Sequence, residues 1–238
     1  MKKLLLTVII LLYFTPCDAQ KSNLENDFYV INVLGAELYE KPSFNSKVLL
    51  KIKVGEKLIA NEILKTKQSK IIGKGFSFSG NFIKIHNKSY TGYIFSSDLS
   101  KIKPSIKVDY DGILVADIMG IEKGKRIKKR FEKFDGKEYE IEDEIIEYEN
   151  GSYTYTAFDG CFDHVYVFKN MTLNEVYHQM INLYFFAGQT ENGRQIEIPK
   201  FFKKTENEFY FIGIDATQDL KLIDNQDGSF TVSSYDCT

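Results

Sequence analysis

Cysteine, histidine and clustered acids are the side chains of this chain that could carry chemistry. In Asp159-Gly160-Cys161-Phe162-Asp163-His164 a thiol lies close to an imidazole, and His178 follows. A thiolate nucleophile needs a base histidine oriented by a third polar group. No histidine occurs after His178, and that residue shares the polar side of a helical pattern with Asn174, Glu175, Gln179 and Asn182. The pattern predicts a solvated surface histidine, so no catalytic residue is assigned. Past residue 17 the only cysteines are Cys161 and Cys237, and in an exported chain they are expected to pair. Closing a loop of about 75 residues would contribute roughly 4 kcal/mol through the entropy of the unfolded chain.

Metal and cofactor sites are not expected. The three histidines are scattered and offer no ligand spacing. Asp224 to Ser229 has Gln226 and Gly228 where a calcium loop alternates acids, and no closing glutamate follows; a hairpin turn is expected instead. Glu142-Asp143-Glu144 could suggest a carboxylate pair, but neighbours on a strand point to opposite faces, which predicts a solvated charged strand.

The elements that must position these residues begin after a leader. Lys2 and Lys3 precede an apolar run from Leu4 to Phe14, and Pro16-Cys17-Asp18-Ala19 follows. That arrangement predicts a secretory signal peptide over residues 1–19, cleaved before Gln20. Acylation at Cys17 is the weaker alternative, because Phe14 and Pro16 stand where a lipobox carries leucine and a small residue. The apolar run is shorter than the roughly 20 residues a membrane span needs, and no second long apolar segment exists, so no membrane span is expected. A formal net charge of −2 gives no reason to expect nucleic acid. With Tyr 15 and Phe 19, a mainly β protein is expected.

Between residues 27 and 103 the chain reads as short strands broken by turn signals. Phe28 to Leu34 is strand-like, a polar loop carries Pro42, Lys47 to Ile52 alternates, Val54-Gly55-Glu56 turns, and Lys57 to Ile63 follows. Strands this short, with no helical period, bury their apolar faces by curling. Leu38 through Pro42-Ser43, Val48 to Gly55, and Gly92-Tyr93-Ile94 with Leu99 resemble, in order, the parts of the bacterial SH3-like domain of exported cell-envelope proteins. Tyr39 and Lys41 replace the arginine and glycine usual before the proline, and Phe82 and Tyr93 stand at the two tryptophan positions. The resemblance implies a small β-barrel over residues 27–103. It also implies an aromatic groove for extended peptide beside Tyr39 and Tyr93. Phe82 is expected in the core, and Gly92 is expected to admit a close neighbour.

Lys101 to Ser105 reads as a solvated linker, and residues 106–238 as an α+β domain: an antiparallel sheet with one packed helix. Asp-Gly recurs at 111, 135, 159 and 227, as hairpin turns would. A two-residue turn at Asp135-Gly136 sets Lys133 opposite Glu138, Lys129 opposite Glu142 and Lys128 opposite Asp143, so the basic run is cancelled by its partner strand. A helix over 122–134 is the alternative, against which Gly124 argues. Thr172-Leu173-Asn174-Glu175 is a capping box, and Leu173, Val176, Tyr177, Met180, Ile181 and Tyr184 form an apolar stripe that Gly188 is expected to end.

The segment around Cys161 resembles the Asp-Cys-Ser-Gly signature of papain-like peptidases that cut peptidoglycan stems, but lacks the serine and glycine. The expectation is therefore an exported, non-enzymatic, cofactor-free binding protein that contacts cell-wall peptide or an envelope protein. A cell-wall hydrolase with an unrecognised site is the alternative, as is an inhibitor acting through the carboxy-terminal domain.

Overall fold

A computed structural model describes residues 27–86, 89–109, 112–190 and 193–237. The leader with Cys17, the Asn87-Lys88 turn and Asp111 lie outside the described residues. The amino-terminal half contributes β1 (Asp27–Val30), β2 (Ala36–Tyr39), β3 (Val48–Ile52), β4 (Lys57–Leu64), β5 (Ser69–Gly73), β6 (Phe76–Ser79), β7 (Phe82–His86), β8 (Thr91–Phe95) and β9 (Leu99–Ser100). A hairpin of β10 (Ser105–Val108) and β11 (Leu114–Asp117) follows. Then come β12 (Glu122–Phe134), β13 (Lys137–Tyr148), β14 (Gly151–Phe158), β15 (Cys161–Lys169) and the helix α1 (Leu173–Tyr184). The last strands are β16 (Phe186–Thr190), β17 (Gly193–Glu197), β18 (Lys200–Lys204), β19 (Glu208–Ile212), β20 (Thr217–Asp224) and β21 (Ser229–Cys237).

The protein is mainly β, with antiparallel sheets and one α-helix among the described residues. Seven amino-terminal strands pair in the order β3-β2-β8-β7-β4-β1-β9. The outer strands β3 and β9 do not pair, so the expected barrel is not closed by hydrogen bonds. Its strands still bury Val30, Leu38, Ile52, Leu58, Ile83, Ile85, Ile94 and Leu99 together. Gly92 sits against the Tyr39 carbonyl and the Leu38 side chain, closer than a Cβ would allow.

Eight carboxy-terminal strands pair in the order β12-β13-β14-β15-β21-β20-β19-β18. Residues 122–134 are strand, not helix, because the Asp135-Gly136 turn takes positive φ at both residues, the two-residue geometry that suits strand twist. The register matches the sequence expectation: Lys133 faces Glu138, Lys129 faces Glu142 and Lys128 faces Asp143. Glu142 and Glu144 pair with Lys129 and Lys125. Asp143 turns to the other side, toward Arg130 and Thr156.

Helix α1 starts at its capping box, with the Thr172 amide donating to the Glu175 carboxylate at 2.8 Å. It ends at Tyr184, before Gly188, because Phe185 is already extended and leads into β16. The stripe of Val176, Tyr177, Met180 and Ile181 packs with Phe168, Leu220, Leu222 and Val232 of the sheet. Ile31, Val33, Phe76 and Phe78 of the amino-terminal half belong to the same core. The segment after β9 is less solvated than a linker reading implies: Pro104 is buried and Ile102 packs on this shared core.

Candidate functional site

The polar side of α1 is buried against the amino-terminal half, which corrects the expectation of a solvated His178. Asn174, Glu175, His178 and Asn182 meet partners across the contact, while Gln179 accepts from Ile118 N–H at 2.9 Å. Asn174 donates to the Ser97 carbonyl at 3.2 Å, and Glu175 accepts from Ser100. Asn182 bridges the halves: its amide nitrogen donates to the Ile31 and Ala116 carbonyls, both at 2.8 Å, and its oxygen accepts from Val33 N–H. Buried polar groups are tolerable when bonded in this way. The face also carries amides, a histidine and a glutamate but no lysine or arginine, the one sequence signal that it is not an ordinary solvated face.

Asp98 centres this contact. Lys70 Nζ lies 2.7 Å and His178 Nε2 3.3 Å from its Oδ1, and Asn32 donates to it at 3.1 Å. Burial alone would raise this carboxyl, but His178 and Lys70 outweigh burial and hold it down at about 2. Neither ring nitrogen of His178 makes a well-formed hydrogen bond.

Tyr39 and Tyr93 are brought together as register partners on β2 and β8. Tyr39 is 7% exposed, its ring edge-on to Phe44 and Phe82 and its hydroxyl donating to Glu37. Desolvation, then Glu37, push that phenol far up. Tyr93 is half-buried against the same cluster, so of the two tyrosines it is the one with a partly open face. Phe82 is fully buried, as expected.

A separate concave surface lies on the helix-bearing face of the eight-stranded sheet. Strand register there sets three neighbouring rows. Ile146, Tyr153, Tyr166 and Val232 form one; Glu144, Tyr155, His164 and Ser234 the next; Ala157, Phe162 and Asp236 the third. The helix covers Val232 and stops at Tyr184, whose hydroxyl accepts from Ser234 at 2.9 Å. Beyond it opens a cleft of about 350 Å³, lined by Tyr153, His164, Tyr166, Asp236 and Thr217, by Leu183 to Phe186 at the end of α1, and by the loop Ile214 to Ala216.

Within the cleft Tyr153 and Tyr166 stack at 4.4 Å. The Tyr153 hydroxyl lies 2.7 Å from His164 Nδ1, and His164 Nε2 lies 3.4 Å from Asp236 Oδ2. A phenol donating to Nδ1 leaves the proton on Nε2, facing the carboxylate. Desolvation is the main cause that pushes Tyr153 up to about 12, and it drives Tyr166 and Tyr184 higher still; all three remain protonated donors at neutral pH. Asp236 Oδ1 is buried and has no hydrogen-bond partner. This arrangement can hold and orient a polar group against aromatic faces.

Cys161 bonds to Cys237, its partner in the β15–β21 register, so Cys161 carries no thiolate for nucleophilic attack. Among the described residues no three metal-ligating side chains gather, and no helix is long and apolar enough to cross a membrane. Sequence reasoning missed Tyr153, His164 and Asp236 as a group, because the strands that align them are far apart in the chain. The cysteine pair was the available clue, since it ties the start of β15 to the end of β21. Compared with family models, curated proteins and solved structures, the chain matches none of them.

Proposed function

We propose that this chain is an exported, non-enzymatic binding protein that contacts cell-envelope peptide or an envelope partner protein. The observation that carries the reading is the aromatic cleft beyond α1, lined by the half-buried rings of Tyr153, Tyr166 and Tyr184 together with His164 and Asp236. Pockets that combine aromatic walls with a few convergent polar groups are the usual form of a ligand site. The leader-like start of the sequence and the disulfide both suit an oxidising compartment. In this reading the amino-terminal half is an SH3-like module with an open ladder. Tyr93 is its accessible aromatic, and the shared core holds it rigidly beside the cleft-bearing half.

Co-sedimentation of the purified mature protein with intact peptidoglycan sacculi tests this directly, scoring both pelleted protein and released soluble fragments. Pelleting without release is expected, weakened by Tyr153→Ala together with Tyr166→Ala. Release of fragments would replace the reading with a hydrolase. Protein that stays in the supernatant would remove the cell-wall target and leave an envelope protein as the partner.

A further inference from the structure

Four strands stand at the ends of the two large sheets: β3 and β9 in one, β12 and β18 in the other. An outermost strand leaves one row of N–H and C=O groups unpaired, a template for another extended chain unless it is blunted. Strand β9 is two residues long. On β12 the bases are tied to acids, Lys125 to Glu144, Arg126 to Glu147 and Lys129 to Glu142. On β18, Lys203 and Lys204 lie over the Tyr210 and Phe209 rings. Strand β3 differs from all three. Its Val48, Leu49 and Leu50 are 42, 40 and 37% exposed, a run of large apolar side chains on an edge.

The charge around that run is of one sign. Residues 47–53 hold three lysines and no acid, and none of the three makes an ion pair among the described residues. Glu37 is the register partner of Lys51, but its carboxylate accepts from the Tyr39 hydroxyl. Among the described residues β3 pairs with β2 alone. At its carboxyl end a groove of about 470 Å³ is lined by Lys51, Ile52 and Lys53 with Leu34, Ile113 and Leu114, and the two lysines are its only charged walls among the described residues.

Leu49 has no register partner on β2, and a bulge with lysines is the usual means of blunting an edge. Lysine, however, blunts selectively. A second copy of this chain is disfavoured, because the antiparallel register that overlays Val48 to Leu50 on themselves sets Lys47 opposite Lys51 at both ends, and like charges directly opposite destabilise a strand pair. An acidic strand meets the reverse: its carboxylates face three uncompensated ammonium groups, its apolar side chains cover the exposed run, and its backbone completes the ladder.

We propose that β3 accepts an added strand, an extended segment of a partner protein that combines carboxylates with apolar side chains, with Lys47, Lys51 and Lys53 as its charge contacts. The inference rests on the reading of the chain as a binding protein and gives a protein partner its chemistry, at a surface that shares no residue with the aromatic cleft.

The test is an NMR titration of the full mature chain, read at the backbone amides of Val48 to Ile52, with a short peptide alternating glutamate and valine. Saturable shifts by about 10 mM are expected, a range that covers a Kd near 1 mM, with the lysine–valine counterpart at least about tenfold weaker. Added salt should weaken the glutamate peptide, since the lysines are exposed. Methylating the peptide's backbone nitrogens keeps its charge and removes the ladder donors, so binding should fall by about tenfold or more. Lys47→Glu with Lys53→Glu, both at exposed positions, should reverse the preference between the two peptides.

Equal response to the glutamate and lysine peptides, no loss on methylation, or β3 amides that stay unmoved would overturn the proposal. So would equal shifts from vesicles of anionic phospholipid, which would make the edge a membrane contact. The comparison of peptides on the native chain stands even if the variant fails to fold. Sacculi that pellet the protein while the glutamate peptide leaves β3 unmoved would sink this inference and spare the binding reading. A glutamate peptide that binds β3 while sacculi pellet nothing would support it and remove only the cell-wall target.

Discussion

Tyr39, Phe44, Phe82 and Phe95 meet edge-on or tilted, with ring centroids between 4.7 and 5.9 Å apart. Tyr153 and Tyr166, and Tyr155 and Phe162, lie nearly parallel at 4.4 and 5.9 Å. The same residue types are at work, in two different settings. In the first group the rings arrive from β2, β7, β8 and the loop before β3 and close over one another. In the second they stand on adjacent strands, where register alone fixes their orientation, and all four rings are only partly buried. Stacking along a ladder is thus a product of strand pairing, and it is partial exposure that separates this face from a core.

The sharpest way to break this contrast is Phe82→Ala. Phe82 is fully buried and touches Tyr39, Phe44 and Phe95, so its loss should cost about 3–5 kcal/mol, read as a lowered urea midpoint. A cost under about 1 kcal/mol would mean that the first group is not a core after all.

A second, smaller effect concerns the polar contact between the halves. Asp98→Asn leaves Lys70 and His178 beside a neutral amide, and breaking a buried pair of this kind costs about 3 kcal/mol. The carboxyl of Asp98 is depressed to about 2, against about 3.9 in an unfolded chain. Its contribution is therefore fully present above pH ~4 and is lost as the pH falls toward about 2. Urea midpoints for the two proteins should differ at neutral pH and converge at the acid end of that window. A constant difference across it would show that the charge of Asp98 contributes nothing.

How far each region was legible follows from how local its determinants are. The β12–β13 register was readable because Asp135-Gly136 is a two-residue turn, and one turn fixes every pair behind it. The helix start was readable because Thr172 and Glu175 lie within one turn of each other. His178 was not. Its neighbours Asn174 and Asn182 look solvated in sequence, and their partners Ser97 and Ile31 lie in another part of the chain. The open ladder was equally hidden, since strand order depends on which distant edges meet. In the cleft, Tyr153 and His164 come from one hairpin, but Asp236 arrives from a strand near the end of the chain. The sequence marks each as strand without saying that they share a row or its neighbour.

Tyr155→Ala is the mild counterpart of Phe82→Ala and should have the smallest effect on stability. Tyr155 is half-buried on the open face, beside Phe162 and His164, with Glu144 opposite it across the β13–β14 pair. Part of its ring already meets water in the folded chain, and the strands beneath it are held by their own ladders and by the Cys161–Cys237 bond. Truncation therefore removes cross-strand contacts and little buried area, a cost of about 1 kcal/mol or less. Equilibrium urea unfolding under non-reducing conditions gives the number, and it is the ratio to Phe82→Ala that carries meaning. If Tyr155→Ala costs as much as Phe82→Ala, the open face is structural and its rings are retained for packing. If it costs little while weakening sedimentation with sacculi, the two aromatic groups divide the work of the molecule between stability and recognition.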